Sequence, residues 1–248
     1  MPKFFVKSDQ IHNNNIVIHG EDVNHIIKVL RMNIDDKINL CNSQTGQNYL
    51  ACIKNINKTE VECQIIEELK INSESNVSIT LFQGLPKFDK MEFIIQKATE
   101  IGVKEIIPVD MKRTIVKLEG KEQKKIERWK KIAEVASKQS MRNKIPEISD
   151  IIKLDDALKR IVNFDLFLIA YENEENNTLK FELNRINNNN KQYNIGILIG
   201  PEGGIDITEI NKFKEFNNVK IVTLGKRILR TETAGIVMAS NIIYELED

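Results

Sequence analysis

Thiol and imidazole groups are scarce in this sequence. Its cysteines are Cys41, Cys52 and Cys63 and its histidines are His12, His19 and His25, so neither residue type occurs after Cys63. The odd cysteine count, with no CxxC and no Cys/His cluster, argues against a disulfide framework or a structural metal site. All three cysteines fall in apolar, strand-like runs and read as small buried hydrophobes. Chemistry carried by the later part of the chain therefore uses neither thiolate nor imidazole from that part. No apolar run approaches the roughly 20 residues of a membrane helix. The opening residues, MPKFFVKSDQIHNNN, lack the apolar stretch of a secretory signal, and a cytoplasmic protein is expected. Neither GxGxxG nor GxxxxGK[ST] occurs, which disfavours the common phosphate-cradling loops. Net charge is also missing: 36 Lys and Arg balance 36 Asp and Glu, so bulk charge names no partner.

What remains is a soluble globular composition, 41% hydrophobic and 29% charged over 248 residues, enough for one large or two ordinary domains. Charge is uneven along it. Residues 111–144 carry 12 Lys and Arg against 4 Glu. Residues 1–70 read as β-rich, from KFFV, NIVIH, DKINLC, QNYLACIKNI and TEVECQIIEEL, with turn residues between them. One helix, GEDVNHIIKVLR, interrupts them and places Val23, Ile26, Ile27 and Leu30 on one face. Several short strands at close spacing suggest a small barrel. The polar KINSESN marks a boundary, giving domains over 1–72 and 73–248.

Beyond it strands and helices alternate, which predicts an α/β domain with a mostly parallel sheet. VSITLFQG, KEIIPV, FDLFLIA, YNIGILI and VKIVTL are strands. FDKMEFIIQKATEIGV is a helix, with a capping-box pattern at Asp89 and Glu92 and a stop at Gly102. A long helix from Lys121 buries Ile126, Trp129, Ala133 and Ala136. Lys124, Arg128, Lys131, Lys138 and Arg142 follow on another face. A weaker helix near TLKFELNRI, an Asn-rich loop NNNNKQ, a helix DITEINKFKEF and a terminal helix from about Glu232 complete the order.

Two segments carry the chemistry. IGPEGG, residues 199–204, joins a strand to a helix that starts with a second capping-box pattern, Asp206 and Glu209. Its three glycines allow close backbone approach, while Pro201 removes an amide that a phosphate cradle could use. It reads either as a loop lying against an extended small ligand or as a plain tight turn. LGKRILRTETAGIVMA, residues 224–239, again follows a strand and opens a helix. Thr231, Glu232 and Thr233 suit a helix N-terminus. Arg227 and Arg230 suit an anionic substrate or developing negative charge. The helix is apolar around most of its circumference, through Ala234, Ile236, Val237, Met238 and Ala239, which means deep burial or a subunit interface. With the strand that ends near Ala170, three late loops sit at carboxyl ends of strands, where parallel sheets bind ligands.

GPEGG followed by LGKRILRTETA strongly resembles the RsmE-type 16S rRNA uridine-N3 methyltransferases of the SPOUT class. KFDKMEFIIQKATEIGV, ASKQSMRNKIPEI and HIIKVLRM are similar to other segments of that family in the same order, so the likeness spans nearly the whole chain. Lys138 stands where the family usually has an acidic residue, and Asn24 where a second histidine is common. The resemblance implies an N-terminal PUA-like β-barrel for RNA and a C-terminal SPOUT α/β domain with a trefoil knot. It also implies a homodimer, S-adenosylmethionine as methyl donor, no metal, and 16S rRNA or the small ribosomal subunit as partner. By the same analogy the cofactor would meet Ala170 and Glu172, then Ile199, Gly200, Glu202, Gly203 and Gly204, then Leu224, Gly225, Leu229, Thr231 and Ala234.

Methylation at N3 of uracil needs alignment and stabilisation of the uracil anion. Covalent addition at C5 would need a thiol that the late domain lacks, which favours N- or O-methylation. Arg230 is expected to stabilise the anion or hold its phosphate. Glu232 is a candidate base, with solvent water as the other. The basic segment, through Lys131, Lys138 and Arg142, is expected to track RNA phosphate together with Lys28 and Arg31. Aromatic content of 6% makes a stacking platform less obvious. The rivals are a ribose 2′-O-methyltransferase of the same class, a non-catalytic RNA-binding protein with a decayed loop, and an unrelated nucleotide-binding enzyme.

Overall fold

The computed structural model describes residues 2–116, 120, 122–186 and 192–247. The Asn-rich loop and the expected start of the long helix at Lys121 fall outside these. The chain forms two compact units, one of Met1–Glu74 with Ser137–Ile145 and one of Ser75–Ala136 with Pro146–Asp248.

The first unit is built on β1 (Lys3–Val6), β2 (Ile11–His12), β3 (Asn15–His19), α1 (Glu21–Asn24), β4 (Lys37–Asn42), β5 (Asn48–Ile56) and β6 (Glu60–Leu69). Its six strands run in the order β1-β4-β5-β6-β3-β2, antiparallel except for β1 with β4. Two register shifts bend the long β5–β6 ladder. Phe4, Ile16, Ile18, Ile38, Leu40 and Ile53 belong to one buried core cluster, as the alternating pattern requires. The barrel expectation therefore resolves as one bent sheet whose edge strands pair with β4 and β3, not with each other. The expected single helix is one α-turn that passes into a π-helical turn, His25–Val29. Cys41 and Cys63 are buried, and burial pushes the Cys63 thiol up to about 12. Cys52 is half-exposed.

The return of Ser137–Ile145 to this unit is absent from the sequence reading. It follows from Glu74, whose carboxylate accepts from Arg142 Nη2 (2.6 Å) and from the backbone amides of Asn143 (2.9 Å) and Lys144 (3.1 Å).

The second unit alternates as expected. Its elements are β7 (Val77–Gly84), α2 (Lys90–Ile101), β8 (Glu105–Asp110), α3 (Glu122–Gln139, whose end lies in the first unit), β9 (Glu147–Ile148), β10 (Ile152–Lys153) and α4 (Leu154–Arg160). β11 (Leu166–Ala170), α5 (Leu179–Ile186), β12 (Tyr193–Ile199), α6 (Ile207–Phe213), β13 (Val219–Val222) and α7 (Thr231–Leu246) follow. All seven strands are parallel, ordered β10-β8-β7-β12-β11-β13 with β9 also on β8. Burial on both faces explains the near-continuous apolar runs of β11 and β12. Phe82, Phe164, Phe167 and Phe213 form an aromatic cluster in the core, with ring centroids 5.2–5.9 Å apart. The Asp206–Glu209 capping box forms as read. The one at Asp89 does not: Asp89 makes no side-chain cap bond, and Glu92 pairs with Arg128 at 2.8 Å instead.

Candidate active site

Because β7, β12, β11 and β13 are adjacent and parallel, the loops that leave their carboxyl ends share one edge of the sheet. The chain adds strands on opposite sides of the β7–β12 pair, and the crevice at such a reversal is where parallel sheets bind ligands. A cavity of about 520 Å³ opens there, within the range of small-ligand sites. Ala170 and Glu172 line it from the loop after β11, and Ile199, Gly200, Glu202, Gly203 and Gly204 from the loop after β12. Leu224, Gly225, Leu229, Arg230, Thr231 and Ala234 line it from the segment after β13. The structure thus brings together all twelve residues expected at a cofactor, together with Arg230.

The loop after β12 is held from both flanks. Glu202 Oε1 accepts from the Lys87 amide and from Lys90 Nζ, each at 3.0 Å. Burial pushes the Glu202 carboxyl up, but these bonds outweigh it and hold it below the usual carboxylate range. On the other side Arg113 Nη1 donates to the Gly203 carbonyl (3.0 Å), and Lys112 Nζ lies 3.1 Å from Asp206 Oδ1. From inside, the fully buried Gln83 donates through Nε2 to Thr231 Oγ1 (2.9 Å), and Thr231 Oγ1 donates to the Gly200 carbonyl (2.6 Å). That chain of bonds fixes the start of α7 against the loop. Sequence reasoning missed Gln83, Lys87, Lys90 and Arg113. An uncharged polar residue at the end of a strand as apolar as VSITLFQG was the available signal for Gln83.

The glycines answer to the protein before any ligand. A Cβ on Gly204 would run into the Glu172 carboxylate, and Gly204 holds φ +71°, where L side chains are strained. A Cβ on Gly200 would lie 2.8 Å from Ile205 Cγ1, and one on Gly203 would lie 3.1 Å from Arg113 Cβ. These glycines thus let protein segments close on one another, and the same three residues line the cavity. The open polar groups lie in the loop after β13. Among the described residues, the backbone amides of Leu224 and of Lys226 to Leu229 donate to no protein acceptor. Among the described residues the guanidinium groups of Arg227 and Arg230 have no hydrogen-bond or ion-pair partner, and both residues are exposed on the cavity wall.

A family profile described as RNA methyltransferase domain matches residues 73–243, and one described as RNA methyltransferase PUA domain matches residues 18–66. The chain belongs to this RNA methyltransferase family. It is 39% identical over 232 residues to ribosomal RNA small subunit methyltransferase E of Bacillus subtilis, covering 93% of this chain and 90% of that protein. With the protein of the same name from Mesomycoplasma hyopneumoniae it shares 37% identity over 245 residues, 99% of this chain and 100% of the relative. The crystal structure of ribosomal RNA small subunit methyltransferase E from Neisseria gonorrhoeae, bound to S-adenosylmethionine, superposes with a TM-score of 0.86. That match has 29% identity and covers 100% of this chain and 99% of the other.

Other residues assigned in the light of the family resemblance are placed differently. Glu232 does not line the cavity; its carboxylate lies 3.4 Å from Lys90 Nζ at the first turn of α2. Arg142 was expected at RNA phosphate, but it is only 4% exposed and its guanidinium is committed to Glu74. Lys138 is likewise corrected: its ammonium lies 2.8 Å from Asp22 and 5.7 Å from the Phe4 ring centroid, an internal tie of the first unit. Lys28, Arg31 and Lys131 are exposed. Part of the basic block thus neutralises carboxylates within the chain, since Lys112, Arg113 and Arg128 are ion-paired as well.

Proposed function

We propose that this chain methylates N3 of a uridine in small-subunit ribosomal RNA, the decoding-region uridine of the family, with S-adenosylmethionine as donor. The observation that carries the reading is the unpaired Arg230 guanidinium on the wall of a cavity built from three strand-end loops. The pocket fits the donor. Ile199, Leu224, Leu229 and Ala234 supply apolar walls, and the unpaired amides between Leu224 and Leu229 suit the polar edge of an adenine ring. Gly200, Gly203, Gly204 and Gly225 keep the surface at backbone level, and Glu172 and Glu202 set acidic groups at one side. When bound, the donor supplies an already activated methyl group.

The chain's own task is then to align the uracil and stabilise its anion. Arg230 places positive charge where that anion develops, and its backbone φ and ψ are fixed because its carbonyl accepts the Thr233 and Ala234 amides, at 2.9 and 2.8 Å, as the N-cap of α7. The N3 proton leaves to solvent water, with Glu232 held aside by Lys90. Lys28, Arg31 and Lys131 contact RNA phosphate.

Three further features complete the proposal. The path from edge strand β13 back to α7, whose Gly235 faces Leu81 of β7 and Ile199 of β12, supports a trefoil knot. Phe93 and Tyr244 are exposed on α2 and α7, which pack together, and they support a homodimer through this face. Among the described residues no helix is long and apolar enough to cross a membrane, which is compatible with a cytoplasmic enzyme. Incubation with labelled S-adenosylmethionine and unmodified small subunits, followed by nucleoside mapping, tests the function: label in N3-methyluridine supports it. Label on a ribose 2′-oxygen, or none, overturns it.

A further inference from the structure

A second cavity, about 420 Å³, lies in the same unit. Leu85, Met91, Trp129 and Ile151 give it an apolar lining, and Phe88, Lys124 and Lys125 stand at its rim. Phe88 is 88% exposed, and its backbone holds φ +55°. A bulky side chain rarely adopts that left-handed conformation, and such strained residues cluster at ligand clamps. Packing does not account for an aromatic ring held out in water on a strained turn. Lys124 and Lys125 are exposed and carry no ion-pair partner among the described residues, whereas the neighbouring Arg128 is taken by Glu92 at 2.8 Å.

The location adds the second argument. The turn that carries Phe88 separates the two cavities. Pro86, Phe88 and Asp89 face this one, Lys90 lines the methyl-transfer cavity, and the Lys87 amide is bonded to Glu202 of the loop after β12. An enzyme that works on a base atom must take that base out of its stack, which leaves its neighbours without a stacking partner. Aromatic rings accept such bases without sequence preference, and lysines beside them accept the connecting phosphate.

We propose that this cavity holds an unstacked nucleobase adjacent to the methylated one, with Phe88 stacked on its face and Lys124 and Lys125 at its two flanking phosphates. This rests on RNA being the substrate. Base stacking corresponds to a loss of roughly 5- to 150-fold when the ring is removed. Phe88→Gly is the suitable variant, because glycine is at ease at this φ and folding is not put at risk; Phe88→Trp keeps a stacking face. The expected result is a KM for unmodified small subunits raised at least about fivefold in Phe88→Gly, near wild type in Phe88→Trp, and unchanged S-adenosylmethionine affinity by calorimetry in both. Lys124→Ala with Lys125→Ala lowers the slope of RNA affinity against salt by about 1.4, for two phosphates of single-stranded RNA.

Wild-type turnover with an unaltered KM in Phe88→Gly overturns the base site alone. No wild-type turnover on RNA overturns the function reading and this site with it. A loss seen with assembled subunits and not with protein-free 16S rRNA gives the cavity to a ribosomal protein and overturns the nucleobase assignment.

Discussion

Thr231 offers the sharpest perturbation of the cavity proposed for the methyl donor, because a single hydroxyl joins Gln83 to the Gly200 carbonyl. Thr231→Val keeps the shape and removes both bonds. The two partners fare differently. Gly200 lines the cavity and is only half-buried, so water can replace the bond to its carbonyl and that loss is small. Gln83 is fully buried and its Oε1 already lacks a partner. Its Nε2 retains only the bond to the Gly84 carbonyl (2.9 Å), and one N–H is left unsatisfied. Stranding one buried donor costs about 1–3 kcal/mol. For a unit of this size that is about 2–4 °C of melting temperature for each kcal/mol.

The same substitution frees the start of α7 from the loop after β12, so the donor's affinity falls, while turnover at saturating donor stays close to wild type because Arg230 is untouched. Calorimetric titration with S-adenosylmethionine and thermal unfolding read the two effects. Thr231→Ser, which keeps the hydroxyl, restores both. A Thr231→Val protein with wild-type melting temperature and wild-type donor affinity would refute the reasoning, since no bond chain would then be holding the loop.

The remaining predictions use other parts of the molecule. Arg230→Ala lowers kcat about 10²- to 10³-fold with donor affinity within a fewfold of wild type; unchanged turnover in single-turnover assays sinks the anion-stabilising role. Gly204→Ala destabilises by about 1–2 kcal/mol from the left-handed φ, because the exposed Glu172 carboxylate swings aside at little cost. Adding Glu172→Ala therefore recovers little, and a double variant restored to wild-type stability in denaturant melts would contradict the backbone origin of the cost. Glu74 makes the acid prediction. Burial raises its pKa, but the bonds from Arg142, Asn143 and Lys144 outweigh burial and hold it below its ordinary value. Its contribution is thus fully present above the unfolded value of about 4.3 and is lost as pH falls through the lower folded value. Glu74→Gln leaves Arg142 buried with a weaker partner and costs about 3 kcal/mol at pH 7, and the gap to wild type narrows on acidification. A constant gap in melts from pH 7 to 3 contradicts this.

Local pattern revealed what local physics determines. Alternating runs gave the strands, the 3.6-residue stripe gave α2 and α3, and the Asp206–Glu209 spacing gave a real cap. The three loops were legible because each follows an apolar strand, and parallel pairing aligns their ends without further information. What stayed hidden is non-local. β9 and β10 are two-residue strands that exist only because β8 offers an edge. Lys138 finds Asp22 across 116 residues of sequence, and Arg142 finds Glu74 across 68. A helical wheel sees both only as members of a basic face. The same limit applied to Glu232, whose ion pair with Lys90 across the fold no helix-start pattern reveals.

GPEGG shows why a legible motif still needed coordinates. Its sequence says only that backbone can approach something closely, and a ligand is the natural guess. The contacts of the missing Cβ atoms also name Glu172, Ile205 and Arg113, one from each of three different segments. A pocket assembled from loops must hold its geometry before the ligand arrives, or binding bears the cost of ordering them. Glycine removes the side chains that would keep these segments apart. Thr231 and Gln83 bolt the loop from within, and Glu202 and Asp206 fasten its two ends to α2 and to the turn after β8. Among the described residues, the segment from Leu224 to Arg230 keeps a run of unpaired amides and two guanidinium groups without partners. The division accords with the proposed function: a braced half that would place the methyl donor, and a half whose open hydrogen-bonding groups donor and substrate would complete.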